Sequence, residues 1–235
     1  MINKIICGDC LEVLPTLPDA TMIFADPPDN LGVKYEGFLD RQKSYDSWLA
    51  LVMNLARANS RIFWLSYYHS HCVAVLSTVA RFDPPVSWRQ FAWRFTFGQH
   101  NHRDCGNGYR PLLRIKADDA ILYPDAIREP SARQTKYNDK RANPKGRVPD
   151  DVWEFPRVCG TFKEKRKWHP NQHPEALIER IVKFSAVPGD LVVDMFAGTG
   201  TVNRVCKRLG IDCIGIEISK KYCEMIATET GAELR

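Results

Sequence analysis

Two acidic residues flank a pair of prolines near the amino terminus, in the stretch FADPPDNLG. An apolar run, residues 21–25, leads directly into Asp26, Pro27, Pro28 and Asp29. Proline has no backbone N–H and its φ angle is held near −65°, so the carbonyl groups of this turn are rigid and have no helix or sheet to join. The stretch therefore predicts a group of fixed hydrogen-bond acceptors at the end of a strand.

A glycine-containing turn near the carboxyl terminus, in DMFAGTGT, has a different chemistry. The glycines Gly198 and Gly200 allow close approach of the backbone to a ligand, and the helix that follows offers free N–H groups. Glu217 ends the next strand, about where doubly wound nucleotide sites place the acid that binds ribose hydroxyls. Because no Gly-Lys-Ser/Thr follows, the loop predicts an adenosine-bearing ligand and not a triphosphate.

Short strands and amphipathic helices alternate around these two turns. The strands are predicted at residues 3–6, 21–25, 61–65, 86–97, 191–195 and 212–216, and the helices at 45–58, 70–81, 174–185, 201–209 and 219–230. This alternation predicts an α/β fold with a mostly parallel sheet. Residues 99–168 fit the alternation poorly and are predicted to form an insertion.

Four motifs together resemble the S-adenosylmethionine-dependent amino-DNA methyltransferases. DMFAGTGT with the later GIEIS resembles their cofactor-binding half, and ADPPDNLG resembles their DPPY catalytic motif. IICGDCLEVL is similar to the element whose acid, here Asp9, contacts the adenine of the cofactor. WHPNQHPEALIERIV is similar to the HPTQKP element. The order, catalytic motif first and cofactor motif last, is similar to the circularly permuted β group of the family.

The resemblance implies a fold and a domain organisation. The fold would be a doubly wound, mostly parallel sheet of the Rossmann-like methyltransferase type, circularly permuted, with the chain termini close together. Residues 1–98 would form its catalytic half, residues 99–168 an inserted basic target-recognition region, and residues 169–235 the cofactor-binding half.

The cofactor implied is S-adenosylmethionine. The family motifs assign its binding to Asp9, Cys10, His169, Asp194, Phe196, Ala197, Gly198, Thr199, Gly200, Thr201 and Glu217. Within the HPTQKP-like element His173 replaces the usual lysine, so the resemblance assigns no role to that side chain.

The resemblance also explains the acceptors of the first motif. An exocyclic base nitrogen is a poor nucleophile because its lone pair is delocalised into the ring. Asp26 and the carbonyl of Pro27 would accept its two hydrogens and favour the geometry in which the lone pair is free. The target base would first be flipped out of the DNA duplex. An acid at the first position favours adenine N6 in this family, with cytosine N4 as the alternative.

Asp29 departs from the family pattern, which has an aromatic residue that stacks on the flipped base. Such stacking contributes roughly 1–3 kcal/mol. In one interpretation another ring replaces it, with Tyr35, Phe38, Tyr67 and Tyr68 as candidates. In a second, Asp29 accepts a further donor from the base or from an ordered water. In a third, the chain is a weakened or inactive methyltransferase that still binds DNA and cofactor.

A basic segment lies between residues 131 and 147. Its cations are Arg133, Lys136, Lys140, Arg141, Lys145 and Arg147, against a single acid, Asp139. The segment has no apolar period and is predicted to be an exposed loop, either a solvated surface or a set of phosphate and groove contacts. The resemblance favours double-stranded DNA as partner. It also implies a homodimer and leaves open whether a restriction enzyme accompanies the chain.

Composition excludes other classes of protein. The 235 residues are 44% hydrophobic and 26% charged with a net charge of +5, which is typical of a folded globular chain. The eight cysteines are scattered, and the Cys7–Cys10 pair has no second pair beside it, so no metal site is predicted. No apolar run approaches about 18 residues, and the start lacks the features of a signal peptide. We expect a cytoplasmic, nucleoid-associated protein without a membrane segment.

Overall fold

A computed structural model describes residues 1–96, 98 and 101–235. Its strands are β1 (Asn3–Cys7), β2 (Ala20–Ala25), β3 (Lys34–Tyr35), β4 (Phe38–Leu39), β5 (Ser60–Ser66), β6 (Ser87–Arg94), β7 (Tyr109–Lys116), β8 (Val152–Glu154), β9 (Leu191–Asp194), β10 (Asp212–Glu217) and β11 (Glu233–Leu234). Its helices are α1 (Cys10–Val13), α2 (Tyr45–Ala58), α3 (Cys72–Val79), α4 (Ala132–Thr135), α5 (Glu175–Ser185), α6 (Thr201–Leu209) and α7 (Lys220–Thr230).

Nine of these strands form one twisted layer in the order β11-β1-β10-β9-β2-β5-β7-β6-β8, and β3 and β4 form a separate hairpin. The pairings from β11 through to β5 are parallel, whereas β7 runs antiparallel to both β5 and β6. The sheet is therefore mostly parallel, and the start of β7 lies at the edge where β2 and β5 end.

Side chains of the central strands alternate between two apolar layers. Along β2, Met22 and Phe24 pack into one core cluster with residues of α5 and α6, and Ile23 and Ala25 pack into the other with residues of α2 and α3. Because the strand period is two, each face of the sheet receives its own layer of helices. The predicted α/β doubly wound, Rossmann-like fold is confirmed.

The predicted elements agree with the structure in most places. Helices α2 and α6 have the predicted bounds, and the other predicted helices and strands within the described residues differ by one to two residues at their ends. The end of the predicted strand 86–97 (Phe97) and the first residues of the predicted insertion (Gln99 and His100) lie outside the described residues. Strands β7 and β8 were not predicted, and both belong to the main sheet although they lie within residues 99–168.

The two ends of the chain meet at one edge of the sheet. Strand β1 lies between β10 and β11, and the N–H of Cys7 donates to the carbonyl of Arg235 at 2.9 Å. The predicted closeness of the termini is confirmed.

Among the helices of the described residues, none is both long enough and apolar enough to span a bilayer.

Candidate active site

One cavity of about 660 Å³ contains both sequence motifs. Its lining includes Asp26 to Asp29 of the proline turn and Gly198 and Glu217 of the glycine turn. The cavity lies at the edge where the parallel strands β2, β9 and β10 end, the usual location of ligands in open α/β sheets. Its volume is within the range of small-molecule sites in proteins, roughly 300–1,000 Å³.

Three neighbouring strands bring polar side chains to this edge. Asp26 follows the last residue of β2, Ser66 ends β5, and Arg110 is near the start of β7. Leu65 is in register with Ala25, and Ser66 is in register with Leu112, two residues beyond Arg110. The antiparallel direction of β7 therefore places Arg110 beside Asp26.

Arg110 binds both acids of the DPPD motif. Its Nη2 donates to Oδ1 of Asp26 at 2.7 Å and to Oδ1 of Asp29 at 2.8 Å, and its Nη1 donates to Oδ2 of Asp29 at 2.8 Å. The two-bond fork with Asp29 is the geometry in which arginine and a carboxylate pair most strongly. The side chains of Arg110 and Asp29 are only 14% and 17% exposed, so these bonds are largely shielded from solvent.

A closed circuit of hydrogen bonds surrounds the first acid. Nε of Arg110 donates to Oγ of Ser66 at 2.6 Å, and Oγ of Ser66 lies 3.1 Å from Nε2 of His173. The other ring nitrogen of His173, Nδ1, lies 3.3 Å from Oδ2 of Asp26. Each hydrogen in this circuit has one acceptor if the hydroxyl of Ser66 donates to Nε2 of His173 and the Nδ1–H of His173 donates to Asp26.

The protonation states follow from burial and charge. Burial acts to raise the pKa of Asp26, but His173 and Arg110 more than offset it and hold this pKa below its usual range. Burial lowers the pKa of His173 by more than the neighbouring Asp26 carboxylate raises it, and the Arg110 cation lowers it further, so the ring is neutral near pH 7. Asp26 is therefore an ionised acceptor beside a neutral histidine.

The carbonyls of the proline turn have separate partners. Tyr45 Oη donates to the carbonyl of Pro28 at 2.5 Å, and Nε2 of His71 lies 3.0 Å from the carbonyl of Asp29. Within the described part of the chain, the carbonyl of Pro27 accepts no hydrogen bond, although Pro27 lines the cavity. The carbonyls of Pro28 and Asp29 are therefore engaged within the protein, and the carbonyl of Pro27 is left for a ligand.

The loop after the turn is fixed by a buried acid. Asn30 has a φ angle of 58°, in the left-handed region, and the side chain of Asp40 accepts from the N–H groups of Asn30 and Leu31 at 2.7 and 3.2 Å. Asp40 is 2% exposed. These bonds hold the loop between the turn and the β3–β4 hairpin at the rim of the cavity.

The glycine turn is held by the acid that ends β10. Oε2 of Glu217 accepts from the N–H of Gly198 and Oε1 accepts from the N–H of Ser219, both at 2.9 Å. Gly198 has a φ angle of 52°, and a Cβ atom there would lie 3.4 Å from the ring of His169. Glu217 thus shapes the turn, and its remaining lone pairs are available to a ligand.

Asp194 lies beneath the same turn. Burial, together with the negative charges of Asp26 and Glu217, raises the pKa of Asp194 to about 8. Its Oδ1 accepts from the N–H of Phe196 at 3.1 Å. The carboxyl group is consequently protonated in most molecules at pH 7.

The structure places most of the predicted cofactor residues around the cavity. The lining includes Asp9, Cys10, His169, Asp194, Phe196, Ala197, Gly198, Thr199, Thr201 and Glu217. Gly200 differs because it packs against α7, where a Cβ atom would lie 2.5 Å from Cγ2 of Ile226. Asp9 also caps α1, since its Oδ1 accepts from the N–H of Leu11 at 2.8 Å.

The rings proposed as replacements for the family's aromatic residue have different positions. Tyr35, Phe38 and Tyr68 line the cavity, whereas Tyr67 is 1% exposed and packs in the core. Tyr67 cannot reach a flipped base, so this candidate is wrong. The side chain of Asp29 accepts its hydrogen bonds in the structure from Arg110, a residue of the protein itself.

The basic segment lies on the surface, and all six of its predicted DNA-binding side chains are exposed. Acids of the same region pair with three of the arginines: Asp139 with Arg133 and Arg141, and Glu129 and Asp150 with Arg147. Helix α4 interrupts the predicted loop and is closed by a capping box between Ser131 and Gln134. The arginines are thus partly neutralised, and Lys140 and Lys145 extend from the segment as exposed cations.

Residues 20–229 match the DNA methylase family of N6 and N4 methyltransferases. The chain belongs to that family. It is 31% identical to the Type II methyltransferase M.HpaI of Haemophilus parainfluenzae over 258 residues, covering 99% of this chain and 76% of that protein. It is also 31% identical over 251 residues to the DNA adenine methyltransferase YhdJ of Escherichia coli K12, covering 95% and 81%.

The methylase also shares its fold with a solved structure, the M1.HpyAVI–SAM complex. The TM-score is 0.64 at 21% identity, over 97% of this chain and 100% of that chain. The protein is an S-adenosylmethionine-dependent DNA methyltransferase of the adenine-N6 or cytosine-N4 class. The cavity of the methylase fits this cofactor: Gly198 leaves its backbone accessible, and the protonated Asp194 can ionise beside a cationic ligand.

Three polar residues of the methylase site were missed at the level of sequence: Arg110, Ser66 and Tyr45. His173 had been left without a role, and the structure places it against Asp26. The only signal for Arg110 was Asp29 itself, because a second buried acid beside Asp26 requires a cation. Nothing in the sequence indicated which of the many arginines it would be.

Proposed function

We propose that the protein methylates the N6 amino group of an adenine flipped out of duplex DNA. The observation that carries this proposal is that Asp26 and Pro27, whose carbonyl accepts no hydrogen bond from the residues that the structure describes, line the same cavity as the glycine turn. Two acceptors of fixed geometry suit the two hydrogens of an amino group. The cofactor-side residues on the opposite wall suit the methyl donor.

In this mechanism the protein acts by accepting hydrogen bonds. Asp26 and the Pro27 carbonyl would each accept one amino hydrogen, which favours the pyramidal nitrogen of the transition state over the planar ground state. S-adenosylmethionine supplies an electrophilic methyl group on a sulfonium. Transfer of this methyl group to the nitrogen lone pair would leave the electron pair of the C–S bond on sulfur. Asp26 would then take the proton released from nitrogen and pass it to solvent.

Adenine is favoured over cytosine for two reasons. The relative YhdJ, with 31% identity, is a DNA adenine methyltransferase by name. An acid at the first motif position, here Asp26, is commoner in family members that act on adenine. Cytosine N4 presents the same two hydrogens, so the chemistry of the acceptors alone does not separate the bases.

Expression in a host without its own base methylation tests the proposal directly. DNA from this host is digested to nucleosides, and the modified bases are measured by mass spectrometry. We expect N6-methyladenine. N4-methylcytosine in its place would overturn the choice of adenine but keep the class of enzyme, and the absence of both from cells containing folded protein would overturn the proposal.

Cofactor binding is expected to release a proton from Asp194. The pKa of about 8 leaves this group protonated at pH 7, and a cationic ligand in the cavity lowers the pKa. Affinity for S-adenosylmethionine should therefore rise with pH from about 6 to about 8 and level off above the pKa of the free protein. Titration calorimetry at pH 7 in phosphate and in Tris measures the protons released, up to one for each cofactor.

Two controls isolate this proton. Asp194→Asn should remove both the proton release and the pH dependence. S-adenosylhomocysteine, which lacks the sulfonium charge, should release fewer protons than S-adenosylmethionine. Equal affinity at pH 6 and pH 8 for the wild-type protein would contradict the assignment.

DNA binding is proposed to use the basic segment, with Lys140 and Lys145 as phosphate contacts. Each lysine that neutralises a phosphate contributes about one unit to the slope of log affinity against log salt. Lys140→Gln with Lys145→Gln should therefore flatten the slope by about two units. Fluorescence anisotropy between 50 and 200 mM salt measures it. Lys43→Gln, an exposed lysine outside the segment, should leave the slope unchanged.

The finer family assignment is also a proposal. The order of the motifs and the insertion of β1 between β10 and β11 support the circularly permuted β group. The inserted target-recognition region at 99–168, the homodimer and the companion restriction enzyme stay predictions. Analytical ultracentrifugation with and without duplex DNA tests the dimer.

A further inference from the structure

Asp29 and Arg110 form a unit that is electrically neutral. In a DPPY motif the first acid would carry the only negative charge of the turn. Here the second acid adds another, and the Arg110 cation cancels it through the two-bond fork. The turn and Arg110 together therefore carry a single net negative charge. That charge is enough for one acceptor carboxylate, and no second charge is added to repel the incoming polyanion.

The cation is bound to the catalytic acid as well as to its neighbour. Arg110 uses four N–H bonds: two to Asp29, one to Asp26 and one to Ser66. An arginine that is bound by two acids of one turn and by the last residue of β5 cannot rotate without breaking several hydrogen bonds, most of them charge-assisted. Its Nη2 consequently holds Oδ1 of Asp26 in one place.

We propose that Arg110, held in place by Asp29, is the positioning residue for the catalytic carboxylate of Asp26, so that the Asp29–Arg110 pair takes the structural place of the aromatic residue of DPPY. The proposal rests on the proposed function, because it assigns Asp26 as the acceptor of the amino hydrogen. It explains why a carboxylate is accommodated at position 29: the acid orients the arginine.

The target base would lie near the same guanidinium. Arg110 Nη2 is 2.7 Å from Oδ1 of Asp26. A base nitrogen bonded to that oxygen at about 2.9 Å lies within about 5.6 Å of Nη2. Planar guanidinium groups are used to stack flipped bases in nucleic-acid recognition. The arginine is thus placed to support the base as well as the acid.

The charges around Asp26 predict a pH effect of losing Arg110. The titratable and charged groups near Asp26 are Arg110 on β7, His173 and His169 ahead of α5, Asp29 in the turn, Tyr35 on β3, Tyr45 on α2 and Asp194 on β9. Among these, His173 and the cation of Arg110 lower the pKa of Asp26, against the effect of burial. Removing the cation therefore raises the pKa of Asp26.

Four variants test the proposal on plasmid DNA from a methylation-deficient host, with radiolabelled S-adenosylmethionine and kcat and KM measured separately. Arg110→Lys keeps the charge but loses the fork, and should lower kcat about 100-fold through misplacement of Asp26. Asp29→Asn, which removes one charge from the fork, should lower kcat about tenfold. Arg110→Gln should move the acidic limb of the kcat profile to higher pH than in the wild-type protein, because the pKa of Asp26 rises when the cation is lost. The affinity for S-adenosylmethionine should stay within about twofold in all of them.

Asp29→Tyr, the fourth variant, restores the usual residue of the family and separates two interpretations. If the second acid merely weakens the site, tyrosine raises kcat. If the acid orients Arg110, tyrosine removes the fork and lowers kcat by at least about tenfold. An Asp29→Tyr variant whose kcat equals or exceeds that of the wild-type protein, or an Arg110→Lys variant with wild-type kcat, overturns the proposal.

The control is a second arginine of similar burial. Arg180 is 19% exposed and pairs with Glu129 at 3.0 Å, away from the cavity. Arg180→Lys should leave kcat unchanged, and denaturant unfolding of every variant establishes that it is folded. If Arg110→Lys does not fold, Asp29→Asn tests the same contact through the other residue of the pair.

Failure of the proposed function and failure of this inference give different results. If the wild-type protein binds the cofactor but methylates no base, the proposed function is disproved. If the wild-type protein is active and the variants keep its kcat, only this inference fails.

Discussion

Asp26→Ala is expected to lower kcat by about 100- to 1000-fold, the range found when one preorganised group that stabilises a transition state is removed. The change removes the ionised acceptor and leaves the Arg110 cation facing the nitrogen that must become positive. Radiolabel transfer to plasmid DNA measures kcat, and calorimetry measures cofactor affinity, which should stay within about twofold.

A surface acid provides the control for this change. Asp19 precedes β2, at the opposite end of the strand from Asp26, and is exposed. Asp19→Ala should leave both kcat and the free energy of unfolding nearly unchanged. A variant of Asp26 that retains more than about a tenth of wild-type kcat would remove this acid from the mechanism, since loss of even one hydrogen bond to a charged group exceeds that effect.

Gly200→Ala is expected to lower the free energy of unfolding by about 2–5 kcal/mol. Two effects add: a φ angle of 70° costs an L-residue about 1–2 kcal/mol, and the new Cβ would lie 2.5 Å from Cγ2 of Ile226. Because α6 begins here, the helix must shift away from α7 and carry the glycine turn with it. Cofactor affinity should fall together with stability, as measured by urea unfolding and calorimetry.

Gly210 is a matched control at the other end of the same helix. Its φ angle is 72°, but a Cβ atom there would meet nothing within 4 Å. Gly210→Ala should therefore lower stability by only about 1–2 kcal/mol and leave cofactor affinity unchanged. Combining Gly200→Ala with Ile226→Ala should be less harmful than the two single changes added together, because one change relieves the clash of the other. Equal losses for the two glycine variants would disprove the clash.

The elements with strong local patterns could be predicted from the sequence. Helix α6 ends at Leu209 as predicted, because Gly210 adopts the left-handed conformation that stops a helix, and Gly231 ends α7 in the same way. The glycine and proline turns were located because their chemistry depends on residues adjacent in the chain. For such features sequence and structure carry the same information.

Strand β7 could not be predicted because its sequence, YRPLLRIK, contradicts the usual rules. Pro111 argues against a strand, and Arg110 and Arg114 interrupt the apolar pattern. The structure resolves the contradiction through long-range contacts: Pro111 lies beyond the segment paired with β5, and Arg110 finds two acids that are more than 80 residues away in the chain. Such partners are set by the sheet and not by local spacing.

The order of the central strands has a consequence for synthesis on the ribosome. Strands β1 and β2 are close in the chain, yet β10 and β9, which are made late and are followed among the strands only by β11, lie between them. The amino-terminal half therefore emerges with β1 lacking both of its neighbours, and with β2 paired on one side only, to β5, until almost the whole chain has been translated. Sheets that depend on such distant pairing fold slowly and expose unpaired edges in the meantime. The nascent chain thus completes its methyl-donor pocket last, and premature termination upstream of β9 leaves the acceptor turn without that pocket.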